Sequence, residues 1–157
     1  EEIPMKKFVA VLLAAVLCLS FAACGGDKVT DKTVDAAAMF QALLTDVTYT
    51  DNATELDSSM AGVLLGGELP DGTEAYLAAN DSAYLRCAVF ACKDKDAAAA
   101  VKKLIQTYID DSIDAKYNVD EVALLQNAKI HSMGNYVAVA VTSDTDNVNK
   151  VIDQYFA

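Results

Sequence analysis

EAYLAANDSAYLRCAVFACKD, residues 74–94, decides the fold. Two apolar runs, Glu74–Ala79 and Tyr84–Cys92, flank Asn80-Asp81-Ser82, residues whose side chains bond their own backbone in turns. The pattern predicts a β-hairpin. On its second strand Leu85, Cys87, Val89 and Ala91 fall on one face by alternation. Tyr84, Arg86, Ala88, Phe90 and Cys92 fall on the other. Asp94 then caps a long helix over about 95–116, with Ala97, Val101, Leu104, Ile105, Tyr108 and Ile113 as its apolar stripe.

Upstream, Thr33 is placed to cap a first helix, with Ala36, Phe40, Leu43, Leu44 and Val47 at helical spacing. A second short helix is expected within 55–65, closed by Gly66-Gly67, and Pro70-Asp71-Gly72 reads as a turn. Downstream, a short helix is expected at 120–126. Lys129–Ser132 and Tyr136–Thr142 follow around Met133-Gly134-Asn135 as a second hairpin. Val137, Val139 and Val141 point inward in this reading, and Ala138 and Ala140 outward. Asp144 caps a closing helix with Val148, Val151, Ile152 and Tyr155 on its buried side. The expected class is α+β: an antiparallel sheet of about four strands in two hairpins, with helices packed on it in the order α-α-ββ-α-ββ-α.

The 157 residues are one domain's worth of chain, and a 54% hydrophobic content is too high for wholesale disorder. A formal net charge of -11 argues against nucleic acid, whose phosphates need clustered Lys and Arg. The N-terminus reads as an address. Lys6 and Lys7 precede Phe8–Ala23, a run without charge that is shorter than the ~20 residues a spanning helix needs. Phe21-Ala22-Ala23-Cys24-Gly25-Gly26 resembles a bacterial lipobox, with Phe21 where Leu is usual. That resemblance implies a diacylglyceryl group on Cys24 and cleavage before it. Residues 1–4 read as translated sequence upstream of the true start at Met5, residues 5–23 as a lipoprotein signal peptide, 24–32 as lipidated Cys and tether, and 33–157 as one globular domain. Residues 1–23 carry Glu1, Glu2, Lys6 and Lys7, which cancel, so the mature chain keeps the whole -11. Anionic lipid repels such a chain. Two acyl chains, each buried CH₂ worth about 0.8 kcal/mol, would have to hold it at the membrane.

From Glu74 onward the chain resembles an uncharacterised family of small lipoproteins from Gram-positive, clostridia-like bacteria, with a C-terminal domain of unknown function. The shared features are Ala88-Val89-Phe90 ending a strand, Lys93-Asp94 opening a long helix, Tyr117-Asn118 at its end, and Gly134-Asn135-Tyr136-Val137 opening a late strand. Val119 stands where Pro is common, and Arg86 where an acidic residue is common. The resemblance implies the address and the fold class and supplies no chemistry.

The chemistry-bearing residues are sparse. Cys87 and Cys92, five apart on one strand, lie on opposite faces about 16 Å apart, beyond the about 7 Å that a disulfide allows. They read as small apolar core residues. His131 and its neighbour Ser132 point to opposite faces and form no dyad. Asp110, Asp111 and Asp114, and separately Asp144 and Asp146, lack the Gly of a calcium loop and read as a solvated helix face and as caps. No catalytic residue, metal site or cofactor is expected. Tyr84, Phe90 and Tyr136 would make an apolar interaction face if helices cover only one side of the sheet. The expectation is an exported, lipid-anchored, non-enzymatic interaction module on the outer face of the cytoplasmic membrane. It would bind an envelope protein or, alternatively, a small ligand as the accessory of a transport system; an enzyme is the weaker reading.

Overall fold

The computed structural model describes residues 32–115 and 118–157, so the expected signal, the lipobox-like stretch with Cys24 and most of the expected tether lie outside the described residues. Residues 31–157 form one unit. Its helices are α1 (Ala36–Asp46), α2 (Met60–Leu65), α3 (Lys95–Asp114), α4 (Val119–Asn127) and α5 (Thr145–Phe156). Its strands are β1 (Thr54–Leu56), β2 (Glu74–Ala79), β3 (Leu85–Ala91), β4 (Lys129–Met133) and β5 (Tyr136–Ala140). All strand pairs are antiparallel, in the order β1-β2-β3-β5-β4. The class is α+β, as the two hairpins predict, with five strands rather than four. The fifth is Thr54–Leu56, which pairs with Leu77–Ala79 along the open edge of β2. The short helix expected within 55–65 is the six-residue α2, and a three-residue strand precedes it. Gly66, at φ 74, ends that helix in the left-handed conformation glycine adopts without steric cost.

Caps explain the helix starts. Asp94 accepts the Ala97 N–H at 2.7 Å and opens α3, and Asn118 accepts the Asp120 N–H at 2.8 Å and opens α4. Asp35, not Thr33, caps α1, accepting the Ala38 N–H at 2.9 Å. Asp144 stands at the start of α5, but its side chain makes no capping bond to the helix's backbone N–H groups. Its carboxylate accepts the Thr48 N–H and the Asn147 side-chain amide, both at 2.9 Å, tying the loop after α1 to the last helix.

The sheet is covered on both faces. On one, α2, α3 and α4 bring Leu65, Val101, Ile105 and Leu125 against Leu77, Ala88, Phe90, Val137 and Val139. On the other, α1 and α5 bring Met39, Phe40, Leu43, Val151 and Ile152 against Ala78, Cys87, Val89, Ala138 and Ala140. Ala138 and Ala140 therefore do not face solvent: they are the small residues over which a helix can lie close. With two buried faces, a strand reads as a continuous apolar run, and alternation alone does not say which side is wet.

One irregularity positions the rest. Ala78 pairs with Cys87, but Ala79 pairs with Leu85, so Arg86 is an extra residue in β3, a β-bulge. The bulge puts Leu85 in the same cluster as Ala88 and Phe90, against the strict alternation expected of it, and re-aims Arg86.

Candidate functional site

The bulge buries Arg86 at 1% exposure, outside both apolar clusters. A guanidinium taken out of water must have all its donors satisfied. Here Nη1 donates to the Leu85 carbonyl at 3.1 Å and to Glu121 Oε1 at 2.9 Å. Nη2 donates to Glu121 Oε2 and Asp51 Oδ2, both at 2.9 Å, and Nε donates to Asp51 Oδ1 at 2.7 Å. Glu121 comes from α4 and is buried; Asp51 comes from the loop before β1, with its side chain 38% exposed. The Arg86 hydrogen bonds hold the Asp51 carboxyl down at about 2, against partial burial, which opposes them. One cation against two carboxylates leaves this cluster net negative.

The same loop grips the β2–β3 turn. Asn80 donates to Asp51 Oδ2 at 2.7 Å and Asn52 donates to Asp81 Oδ1 at 2.6 Å. The turn itself is held by the Asn80 side-chain oxygen, which accepts the Ser82 and Tyr84 N–H groups at 3.1 and 2.9 Å. Between them Ala83 sits at φ 60, left-handed backbone that costs a residue with a Cβ roughly 1–2 kcal/mol. Such strain persists only where its surroundings impose it.

Beside this turn lies a groove of about 300 Å³ between the end of α2 and the face of α3. Leu64, Leu65 and Gly66 form one wall, Ala83 and Tyr84 the rim, and Tyr108, Asp111 and Ser112 the opposite wall. The Tyr108 hydroxyl accepts the Leu85 N–H at 3.1 Å. Burial, with the Glu121 charge behind it, pushes its pKa up, so it stays a neutral hydroxyl. The groove thus combines apolar walls, two tyrosines, one serine and one carboxylate, and backs onto the Arg86 cluster. A second hollow, of about 410 Å³, is lined by Ser58, Ser59, Leu69 and Thr73–Tyr76, and holds the enclosed Thr73 hydroxyl. It has a single tyrosine and no contact with the ionic cluster, so the first groove offers the richer recognition chemistry.

The residues expected to form an open face do not come together. Phe90 is fully enclosed beneath the α2–α3–α4 layer, Tyr136 packs toward the opposite layer, and of the three only Tyr84 lines a groove. The corrected reason is that helices cover both faces. Cys87 and Cys92 are free thiols buried on opposite faces; burial raises both, Cys87 to about 11. His131 faces Thr145, Val148 and Asn149 of α5 across a hollow of about 10 Å³, with Nε2 enclosed and unpartnered among the described residues. Burial and nearby Lys129 depress its pKa. Among the described residues no three His, Cys, Asp or Glu side chains gather as a metal site, and no helix is long and apolar enough to cross a membrane.

In the sequence Arg86 stands on a predicted strand face and departs from a family pattern. Its signal was an arginine inside an apolar run, which requires buried carboxylates to exist somewhere. Nothing in the sequence pointed to Asp51 and Glu121, each 35 positions away. No curated protein and no solved structure matches the chain. Residues 70–142, the segment from the Pro70 turn through β5, match the family model described as Domain of unknown function (DUF4358).

Proposed function

We propose that the chain is an exported lipoprotein, held on the outer face of the cytoplasmic membrane by a diacylglyceryl group on Cys24, and that its domain is a non-enzymatic binding module of the cell envelope. The lipobox-like Phe21–Gly26 supports the anchor. The observation that carries the binding role is the groove at Tyr84 and Tyr108, with a strained turn held at its rim by the Asp51–Arg86–Glu121 cluster. Its size suits a small molecule better than a protein side chain array, since ligand sites begin at about 300 Å³. That favours the small-ligand reading, in which the module serves a transport system, over capture of an envelope protein on an open sheet face.

The test has two parts. Cells fed labelled palmitate should label the wild-type chain and leave a Cys24→Ala variant unlabelled; equal labelling would refute the anchor. The lipidated protein purified from membranes should then gain thermal stability from at least one member of a metabolite library. That gain should be lost in Tyr84→Ala. A gain that survives the substitution would move the site elsewhere, and in-cell crosslinking to a reproducible protein partner, lost in Cys24→Ala, would favour the protein-capture reading.

A further inference from the structure

The proposed groove has a sign. Among its described lining residues Asp111 is the one charged group; the others are apolar, hydroxylic or backbone. Asp110 and Asp114 flank it on the same helix. Behind the Tyr108 wall, two carboxylates outweigh the Arg86 cation, and that cation has no donor left to offer a ligand, because all five of its N–H groups are engaged within the protein. An anion entering here would meet negative charge and, among the described lining residues, no basic partner. A cation would meet a carboxylate at the wall and two tyrosine rings, whose faces attract ammonium groups.

We infer that the groove takes a small organic ammonium ion with an apolar body, its charge toward Asp111 and its body against Leu64, Leu65 and the Tyr84 and Tyr108 rings. This rests on the reading of the groove as a ligand site and adds the ligand class. Asp111 sets the preference for positive charge; the tyrosines and leucines set affinity without regard to charge.

The experiment uses the full chain in nonionic detergent and three probes of one shape: benzylamine, which is protonated at neutral pH, benzyl alcohol and benzoate. Amide NMR shifts at 83–84 and 108–112 report occupancy. Benzylamine should shift these resonances saturably, with benzyl alcohol and benzoate weaker by about tenfold or more, equivalent to about 1.4 kcal/mol. Asp111→Asn, an exposed position, should weaken benzylamine severalfold and leave benzyl alcohol unchanged. Equal binding of all three probes at these residues would overturn the charge preference and leave the groove standing as a ligand site. Saturable binding by benzoate alone would do the same. If no probe shifts these residues at millimolar concentration, the groove reading falls with the inference. If Asp111→Asn proves unfolded by its amide spectrum, Asp111→Glu keeps the charge and should retain the preference for benzylamine, whose loss in a folded Asp111→Glu would count against the assignment of Asp111.

Discussion

The Arg86 guanidinium and the Glu121 carboxylate meet through two parallel 2.9 Å hydrogen bonds, with both side chains closed to solvent. This pair sits at a bulge in the central strand and joins it to α4, whereas the third member, Asp51, reaches the cluster from a loop that remains wet. The asymmetry has an energetic signature. Removing one partner of a buried pair costs about 3–5 kcal/mol, because the other charge stays buried and unpaired. Glu121→Ala should therefore lower stability to urea by that amount. Asp51→Ala should cost about 1 kcal/mol or less, since water reaches the vacated position. Arg86→Met combined with Glu121→Leu should recover most of the Glu121→Ala loss. Equal losses for the two single carboxylate variants would show that the cluster is solvated.

Ala83 stands at φ 60 in the β2–β3 turn. Glycine adopts this conformation freely, but gains entropy in the unfolded chain. The balance should leave Ala83→Gly more stable by about 0.5–1 kcal/mol in thermal or urea unfolding. A destabilised variant would mean that the turn does not hold left-handed backbone at this position.

His131 should make the domain sensitive to mild acid. Burial depresses its folded pKa below the ordinary 6.5, against the opposing pull of Asp153. Between the depressed and the ordinary value the unfolded chain binds the extra proton, so stability rises with pH through that window and is lost as pH falls below about 6.5. Urea midpoints measured from pH 7.5 down to 5 should decline in the wild type and flatten in His131→Gln. Parallel curves for the two would assign the decline to other groups. The carboxylate of Asp51 acts lower, sustaining stability above its ordinary 3.8 and losing it as pH approaches 2.

Both described thiols should resist modification. Cys87 and Cys92 are buried and their pKa values are raised, Cys87 to about 11, so little thiolate exists at neutral pH. Iodoacetamide followed by peptide mass spectrometry should find both unmodified in the native protein and fully alkylated in urea. Rapid native alkylation at either position would contradict its burial.

The hairpins, α3 and the stripe of α5 were legible because each is a local pattern: alternation, spacing of three and four, a capping Asp. What escaped reading is long-range. Thr54–Leu56 is a strand because the edge of β2 needs pairing, which its own three residues do not announce. Leu85 changed faces because one extra residue, Arg86, entered the strand, and a bulge reverses alternation on one side of itself. Phe90 looked available because an apolar face is silent about what lies on it. The groove was invisible for the same reason. Tyr84 read as part of an open sheet face and Tyr108 and Leu64 as helix residues, and only the packing of α2 beside α3 brings them to one opening.

The layer formed by α1 and α5 has a consequence for how the domain comes into being. Its two helices come from opposite ends of the unit, one before β1 and one after β5, and both lie outside the segment matched by the family model. During synthesis the face carrying Cys87, Val89, Ala138 and Ala140 is half clothed by α1 at best until the final helix has emerged. A chain cut at residue 142 would carry every described strand and still leave the part of that face beneath α5 bare, a sticky surface that invites association with other chains. The minimal folding unit is therefore wider than the stretch of recognisable likeness, and the last dozen residues act as its closing step.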